Sequence, residues 1–391
     1  MDIYTQVAVA FIAIALFAKL SRWMNSFFPP FYILAGIVAG PFFLGLVTNT
    51  DVIGVLGEIG VVFLLLYLGY EFSLNTLIKR RKSILVSGSL DFLVNFAIGL
   101  AIGRVLGFNL YYSVIMAGII YMSSSGIITK TLIQLNAVND PEGQTILGIM
   151  VFEDLVMVIF LVIMSSLSSN AADVGILTVT FDLLVAVAFC VVIVLVAKKK
   201  PDLIDLLLDS KSKEVFLLVL LALVLGVTAL GMQLGVSEAL GAFFLGMLLS
   251  ESKSKEKVEN TILKFRDVFG GLFFFYFGMN FTLEGINISP VVLVTIIAAA
   301  VFGKLLSSFL IGKVEKCGNA KGFFIGLVTM PRGEFSLLIA GLVGSEVFNF
   351  DSFSIILILA TSAISTLSFM IIQTLCNNTE VCLLKNRFHD E

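Results

Sequence analysis

The sequence predicts an all-α integral membrane protein. Of its 391 residues, 58% are hydrophobic and 14% are charged, whereas soluble domains run near 45–50% apolar with about 25% charged. Mean hydropathy is +1.04. The apolar residues also fall into runs of roughly 17–25, the length that crosses a bilayer as a helix. A formal net charge of −3 gives no footing for nucleic acid. Cys190, Cys317, Cys376 and Cys382 form no CxxC pair, which argues against a disulfide framework or a zinc site. The sole histidine, His389, lies near the end of the chain. Proton handling inside the membrane therefore falls to carboxylates, lysine or water.

About thirteen transmembrane helices are expected, starting near Ile3, Phe27, Ile53, Ser83, Leu110, Gly143, Val174, Lys213, Gly235, Asn260, Ser289, Asn319 and Phe353. The first lacks a small-residue cleavage site and reads as a retained helix rather than a signal peptide. Basic residues follow the odd-numbered helices. They are Arg22; Lys79 to Lys82 (KRRK); Lys198 to Lys200 with Lys211; Lys253 to Lys257 (KSKEK); Lys313, Lys316 and Lys321; and Lys385 with Arg387. Only the loop after the fifth helix carries little. The even-numbered loops hold almost nothing basic beyond Arg104. The positive-inside rule then places the N-terminus outside and the C-terminus in the cytoplasm, across the inner membrane.

Two halves of the chain echo each other. GPFFLG (Gly40 to Gly45) resembles GAFFLG (Gly241 to Gly246), about 201 residues on. YLGYEFSL (Tyr67 to Leu74) resembles YFGMNFTL (Tyr276 to Leu283) at about 209, and GIIYM (Gly118 to Met122) resembles GLVTM (Gly326 to Met330) at about 208. Residues 1–172 are read as a first repeat of six helices, 173–200 as a linking helix, 201–376 as a second repeat and 377–391 as a short cytoplasmic tail. An offset of seven helices inverts the second copy. Inverted repeats of this kind build many secondary transporters, with the substrate site at the midplane between them.

The third match leads into two predicted helix breaks. Ser123, Ser124, Ser125 and Gly126 follow the first copy, and Pro331, Arg332, Gly333 and Glu334 follow the second. Serine, glycine and proline in mid-span loosen backbone hydrogen bonding. Two equivalent broken helices that cross bring half-helix ends of both signs to the bilayer centre; simple close packing by small residues is the plainer alternative.

Level with the breaks, Glu153 and Asp154 lie side by side in the apolar run GIMVFEDLVMVIF. Each unpaired acid at a bilayer centre costs roughly 2.5–3.5 kcal/mol on insertion scales. Adjacent helical residues point about 100° apart, so one acid is expected to face the crossing and the other a partner, Lys304 in the eleventh span. A purely structural ion pair would explain one acid and the lysine but leave the second acid idle. Arg332 is expected to pair with Glu334 or Glu71, and Lys130 to neutralise half-helix ends. Glu58 and Asp267, related by the repeat offset, line a pathway or lie at an interface. Asp91, in the fourth span about 213 residues before Lys304, receives no role. Carboxylates, hydroxyls and freed carbonyls suit a hard monovalent cation. A carboxylate that holds either a proton or a cation couples their fluxes.

These residues carry a family resemblance. The chain resembles the bacterial monovalent cation:proton antiporters of family 2 over nearly its whole length, through GYEFSL, SSSGIITKTL, FEDL and RGEFS. The resemblance implies an NhaA-like fold, homodimers, elevator-like alternating access and Asp154 as the cation and proton carrier, with Glu153 beside it. Glu153 is similar to the pattern of potassium/proton antiporter membrane subunits, and Lys304 to the lysine of sodium/proton exchangers. Na⁺ and K⁺ are both open as substrates, and no cofactor is expected. Many relatives append a nucleotide-binding regulatory domain; here a regulator would be a separate cytoplasmic subunit. A sodium-coupled organic-anion symporter on the same fold, a channel and a transport-dead sensor are the competing classes. No nucleophile–base pair or GxxxxGK[ST] motif points to an enzyme or an ATP-driven pump.

Overall fold

The computed structural model describes residues 2–24, 28–48, 50–71, 74–135, 137–138, 140–168, 208, 212–233, 238–250, 252, 254–284, 286, 288–343 and 347–378. The described elements are helices: α1 (Ile3–Trp23), α2 (Phe28–Ala39), α3 (Thr50–Glu71), α4 (Leu74–Val105), α5 (Leu110–Tyr121), α6 (Ser125–Gln134), α7 (Pro141–Ser168), α8 (Lys213–Gln233), α9 (Glu238–Leu249), α10 (Lys255–Met279), α11 (Pro290–Val314), α12 (Asn319–Thr329), α13 (Glu334–Ala340) and α14 (Phe350–Asn378).

Among the described residues, seven helices are long and apolar enough to cross a membrane. The number is eight if α12 and α13, bent by 54° at a short break, form one span. The thirteen expected spans are therefore not all matched by full-length helices. α2, α5 and α9 begin where spans are expected but hold 12 residues each. That is about 18 Å of helix, short of a hydrocarbon core of about 30 Å. The helix expected from Val174 lies outside the described residues.

Two helices extend beyond their apolar stretch for a common reason. The expected span near Ser83 is the apolar stretch Arg81–Val105, and the helix that carries it, α4, runs back to Leu74; α10 begins at Lys255 ahead of the expected start near Asn260. The KRRK run and the end of KSKEK are thus helical, not loop. Lysine and arginine are good helix formers; they end the apolar surface without ending the hydrogen-bonded ladder. Other starts follow local chemistry. Asn109 Oδ1 accepts the Tyr112 amide at 3.0 Å ahead of α5. Ser289 Oγ accepts the Val292 amide at 3.3 Å, with Pro290 opening α11.

The chain divides into two compact units, and neither coincides with one of the expected repeats. The first comprises Met1–Phe17, Tyr32–Asn75 and Val158–Asn280; the second comprises Ala18–Phe31, Thr76–Met157 and Phe281–Glu391. Each draws helices from both halves of the sequence. In the first unit α3 packs on α9 and α10, and α8 on α9. Backbones there touch through small residues, as in many membrane proteins. A Cβ on Gly36 would lie 2.1 Å from the Phe275 carbonyl oxygen, and one on Gly278 2.0 Å from that of Ile33. In the second unit α11 packs on α12, and α13 on α5 and α14. Ile128, Leu132, Ile146, Ile149, Ile311 and Ile325 belong to an apolar core of this unit.

Candidate ion-binding site

The site lies within the second unit, where the links 122–124 and 330–333 interrupt helical spans. In a continuous helix each N–H bonds the carbonyl four residues back, so a break orphans groups that water cannot reach in a membrane. Here several of these orphans meet a replacement. The Ser123 amide donates to Glu153 Oε2 at 2.7 Å. The Ile119 carbonyl, left without it, accepts from Ser336 Oγ at 2.9 Å. The Ser124 amide donates to the Pro331 carbonyl at 2.8 Å, directly joining the two links.

The second break starts from Pro331, which has no N–H to give the Leu327 carbonyl. Ser365 Oγ on α14 donates to that carbonyl at 3.1 Å. The Arg332 amide donates to Thr361 Oγ1 at 3.0 Å. The fully buried Arg332 guanidinium donates through Nη1 to the Met330 carbonyl (3.2 Å) and through Nη2 to that of Ala300 (3.1 Å). Of the two pairings expected for Arg332, the side chain of Glu71 lies outside the described residues, and among the described residues the guanidinium is met by the Met330 and Ala300 carbonyls rather than by Glu334. Glu334 accepts from Ser124 Oγ at 3.2 Å and Ser125 Oγ at 3.1 Å. The carboxylate of one break therefore reads the hydroxyls of the other. Gly333 makes this approach possible, since a Cβ there would stand 2.4 Å from Ser124 Cβ.

The acids lie mid-helix in α7, both buried. Glu153 meets both the crossing and Lys304, two roles expected of different acids. Its Oε1 accepts from Lys304 Nζ at 2.7 Å and from Ser123 Oγ at 2.8 Å, while Oε2 takes the Ser123 amide. Asp154, one residue on, projects to a different side of α7. Lys304 has a second partner that sequence reasoning left without a role: Asp91 Oδ2, at 2.6 Å. Asp91 Oδ1 in turn accepts from Ser307 Oγ at 2.7 Å and Asn95 Nδ2 at 2.9 Å. Lys304 Nζ also stands 5.5 Å from the centre of the Tyr121 ring. The available signal for Asp91 was its spacing. It precedes Lys304 by 213 residues, close to the repeat offset, and contacts between Ser124 or Ser125 and Glu334 span 210 and 209.

The remaining expected residues are dispersed. Ser125 and Gly126, expected within the first break, open α6, and Glu334, expected within the second, opens α13. Lys130 lies in α6 and Glu71 ends α3, with side chains outside the described residues. Glu58 is exposed on α3, and Asp267 pairs with its exposed neighbour Arg266 on α10. Both belong to the first unit, whereas this cluster belongs to the second.

Broken helices that meet beside buried carboxylates are an arrangement that ion-coupled membrane transporters use, and this chain's relatives place it in a cation/proton antiporter family. The chain belongs to the sodium/hydrogen exchanger family, whose transmembrane model, "Sodium/hydrogen exchanger, transmembrane", matches residues 7–376. It is 32% identical over 345 residues to the K(+)/H(+) antiporter subunit KhtU of Bacillus subtilis (strain 168), covering 86% of this chain and 85% of that protein. It is 32% identical over 352 residues to the Ammonium/H(+) antiporter subunit AmhT of Alkalihalophilus pseudofirmus, covering 88% and 87%. Among solved structures, the sodium proton antiporter MjNhaP1 of Methanocaldococcus jannaschii shares its fold, with a TM-score of 0.70 and 17% identity over 95% of this chain and 98% of that one. The chain is a multi-pass membrane protein of a transporter family rather than an enzyme family.

Proposed function

We propose that this protein exchanges a monovalent cation, Na⁺ or K⁺, for protons across the cytoplasmic membrane, with Asp154 carrying either the cation or the proton. One observation carries this reading: a buried aspartate sits beside a carboxylate already held by Lys304 and by the broken helix, at the place where two helix breaks meet. Glu153 is bound on both oxygens and sets the charge next to the carrier. Asp154 supplies the exchangeable oxygens, with hydroxyls and freed carbonyls of the breaks as further ligands. Because a proton and a cation compete for one carboxylate, loading one displaces the other. Coupling follows if the loaded unit moves and the bare anion does not.

Thirteen spans in inverted repeats, N-terminus outside, elevator-like movement and a homodimer complete the proposal. The division into two compact units supports such movement, since one unit holds every group of the site. KhtU and AmhT are named as subunits, which supports a separate regulatory partner here.

The test is reconstitution with an imposed pH gradient. Internal pH is followed on adding Na⁺, K⁺, Li⁺, NH₄⁺ or choline to wild type and Asp154→Asn. The expected result is a cation-specific pH change that the variant loses while it still melts cooperatively. Exchange retained by Asp154→Asn would sink the site assignment, and a wild type silent to every cation would sink the antiport reading.

A further inference from the structure

Asp91 holds the charge of Lys304 as closely as Glu153 does, at 2.6 against 2.7 Å. A single pair with Glu153 would already neutralise the lysine. A second fully buried carboxylate takes the three-residue cluster to a net −1 when all are ionised, and burying charge without need is costly. The second acid is also prepared for its task. Ser307 lies one turn along α11 from Lys304, and Asn95 one turn along α4 from Asp91; both donate to Asp91 Oδ1 and leave Oδ2 to the ammonium. α4 and α11 meet closely here, since a Cβ on Gly303 would lie 2.7 Å from Asn95 Oδ1.

We propose that Asp91 is a positioning residue for cation binding: it anchors the Lys304 ammonium on the α4 side of the cluster, so that this tethered cation does not occupy Asp154. The inference rests on Asp154 being the cation-carrying residue. A lysine ammonium is a compact charge on a flexible four-carbon stem. Two ion pairs on different helices fix where it points. With Asp91 made neutral, Nζ keeps Glu153 alone, and its flexible stem is released to turn toward Asp154, one residue on and about 100° round α7. A tethered ammonium acts at high effective concentration. It competes with Na⁺ or K⁺ without being transported.

The experiment measures exchange rate against K⁺ and Na⁺ chloride concentration in proteoliposomes, with cation-dependent thermal stabilisation of the purified protein as a second readout of binding. In Asp91→Asn the KM and the stabilisation midpoint are expected to rise about tenfold or more, the scale of one charge-assisted hydrogen bond. The maximal rate falls by less, and Asp91→Glu recovers most of the shift. In a Lys304→Met background, Asp91→Asn is expected to change the stabilisation midpoint no further, because the competitor is gone. A folded Asp91→Asn with wild-type midpoint and KM would overturn the proposal. So would a shift that persists without the lysine. If Asp91→Asn does not fold, Ser307→Ala decides: it loosens Asp91 while keeping its charge, a smaller rise in KM supports the anchor, and an unchanged KM refutes it. Exchange by Asp154→Asn would instead discard the underlying site reading, whatever Asp91 does.

Discussion

Lys304 shows how a buried charge becomes tolerable only through specific partners. Removing its ammonium strands Asp91 and Glu153 together in a dry interior. Lys304→Ala is therefore expected to cost about 3–5 kcal/mol, visible as a lower melting temperature. Adding Asp91→Asn and Glu153→Gln to that variant should restore much of the loss; an unchanged melting temperature in Lys304→Ala would argue that the three groups are not coupled. Gly333 is the second residue with a sharp consequence. A methyl there meets Ser124 Cβ at 2.4 Å, so Gly333→Ala should destabilise by about 1–3 kcal/mol and impair exchange by separating the two links. At this scale the sequence made Glu153, Asp154 and Lys304 stand out, because ionisable residues in apolar runs are conspicuous. It did not mark Asp91, equally charged in an equally apolar span, because only the contact with Lys304 gives it a purpose.

The broken helices show how a fold keeps open backbone in a membrane. Hydroxyls on α13 and α14 stand in for missing ladder bonds: Ser336 on Ile119, Ser365 on Leu327, Thr361 on the Arg332 amide. Ser365→Ala leaves the Leu327 carbonyl bare opposite a proline. It should cost about 1–3 kcal/mol by thermal denaturation, whereas Ser365→Thr should cost less. The breaks were legible from the Ser-Gly and Pro-Arg-Gly sequences. Their replacement donors were not, since serines on α14 read only as a polar stripe until α12 lies beside them. The loop between α11 and α12 offers a test of orientation. Its Cys317 thiol is pushed up by partial burial and by the nearby Glu315. The thiolate is thus scarce at neutral pH and grows as pH rises towards that raised value. With Cys190, Cys376 and Cys382 replaced by serine, an impermeant maleimide should label Cys317 only from the cytoplasmic face, slowly at pH 7 and faster at pH 9. Labelling of intact cells from outside would reverse the proposed topology.

Across the whole molecule, the partition into compact units cuts through the proposed repeats rather than between them. Each unit gathers helices from both halves, which is why the domain boundaries suggested by sequence similarity differ from the units of packing. Repeats record relatedness along the chain, whereas compact units record which faces share contacts. The proposed homodimer predicts a purified particle of two copies by mass photometry in detergent, about twice the 42.4 kDa chain after subtraction of the micelle; a single copy throughout the concentration range would refute it.

The membrane class, the two breaks and the conspicuous acids were determined by the sequence itself. Hydropathy over a bilayer's thickness, a proline's missing N–H and the cost of a buried carboxylate are properties of short segments. Pairing was decided by tertiary structure alone. Glu153 meets Lys304 across 151 residues and Asp91 meets it across 213, while Arg332 turns from the carboxylates to carbonyls at Met330 and Ala300. A buried charge takes the partner that packing brings within hydrogen-bonding distance, and that distance exists only once the helices have assembled.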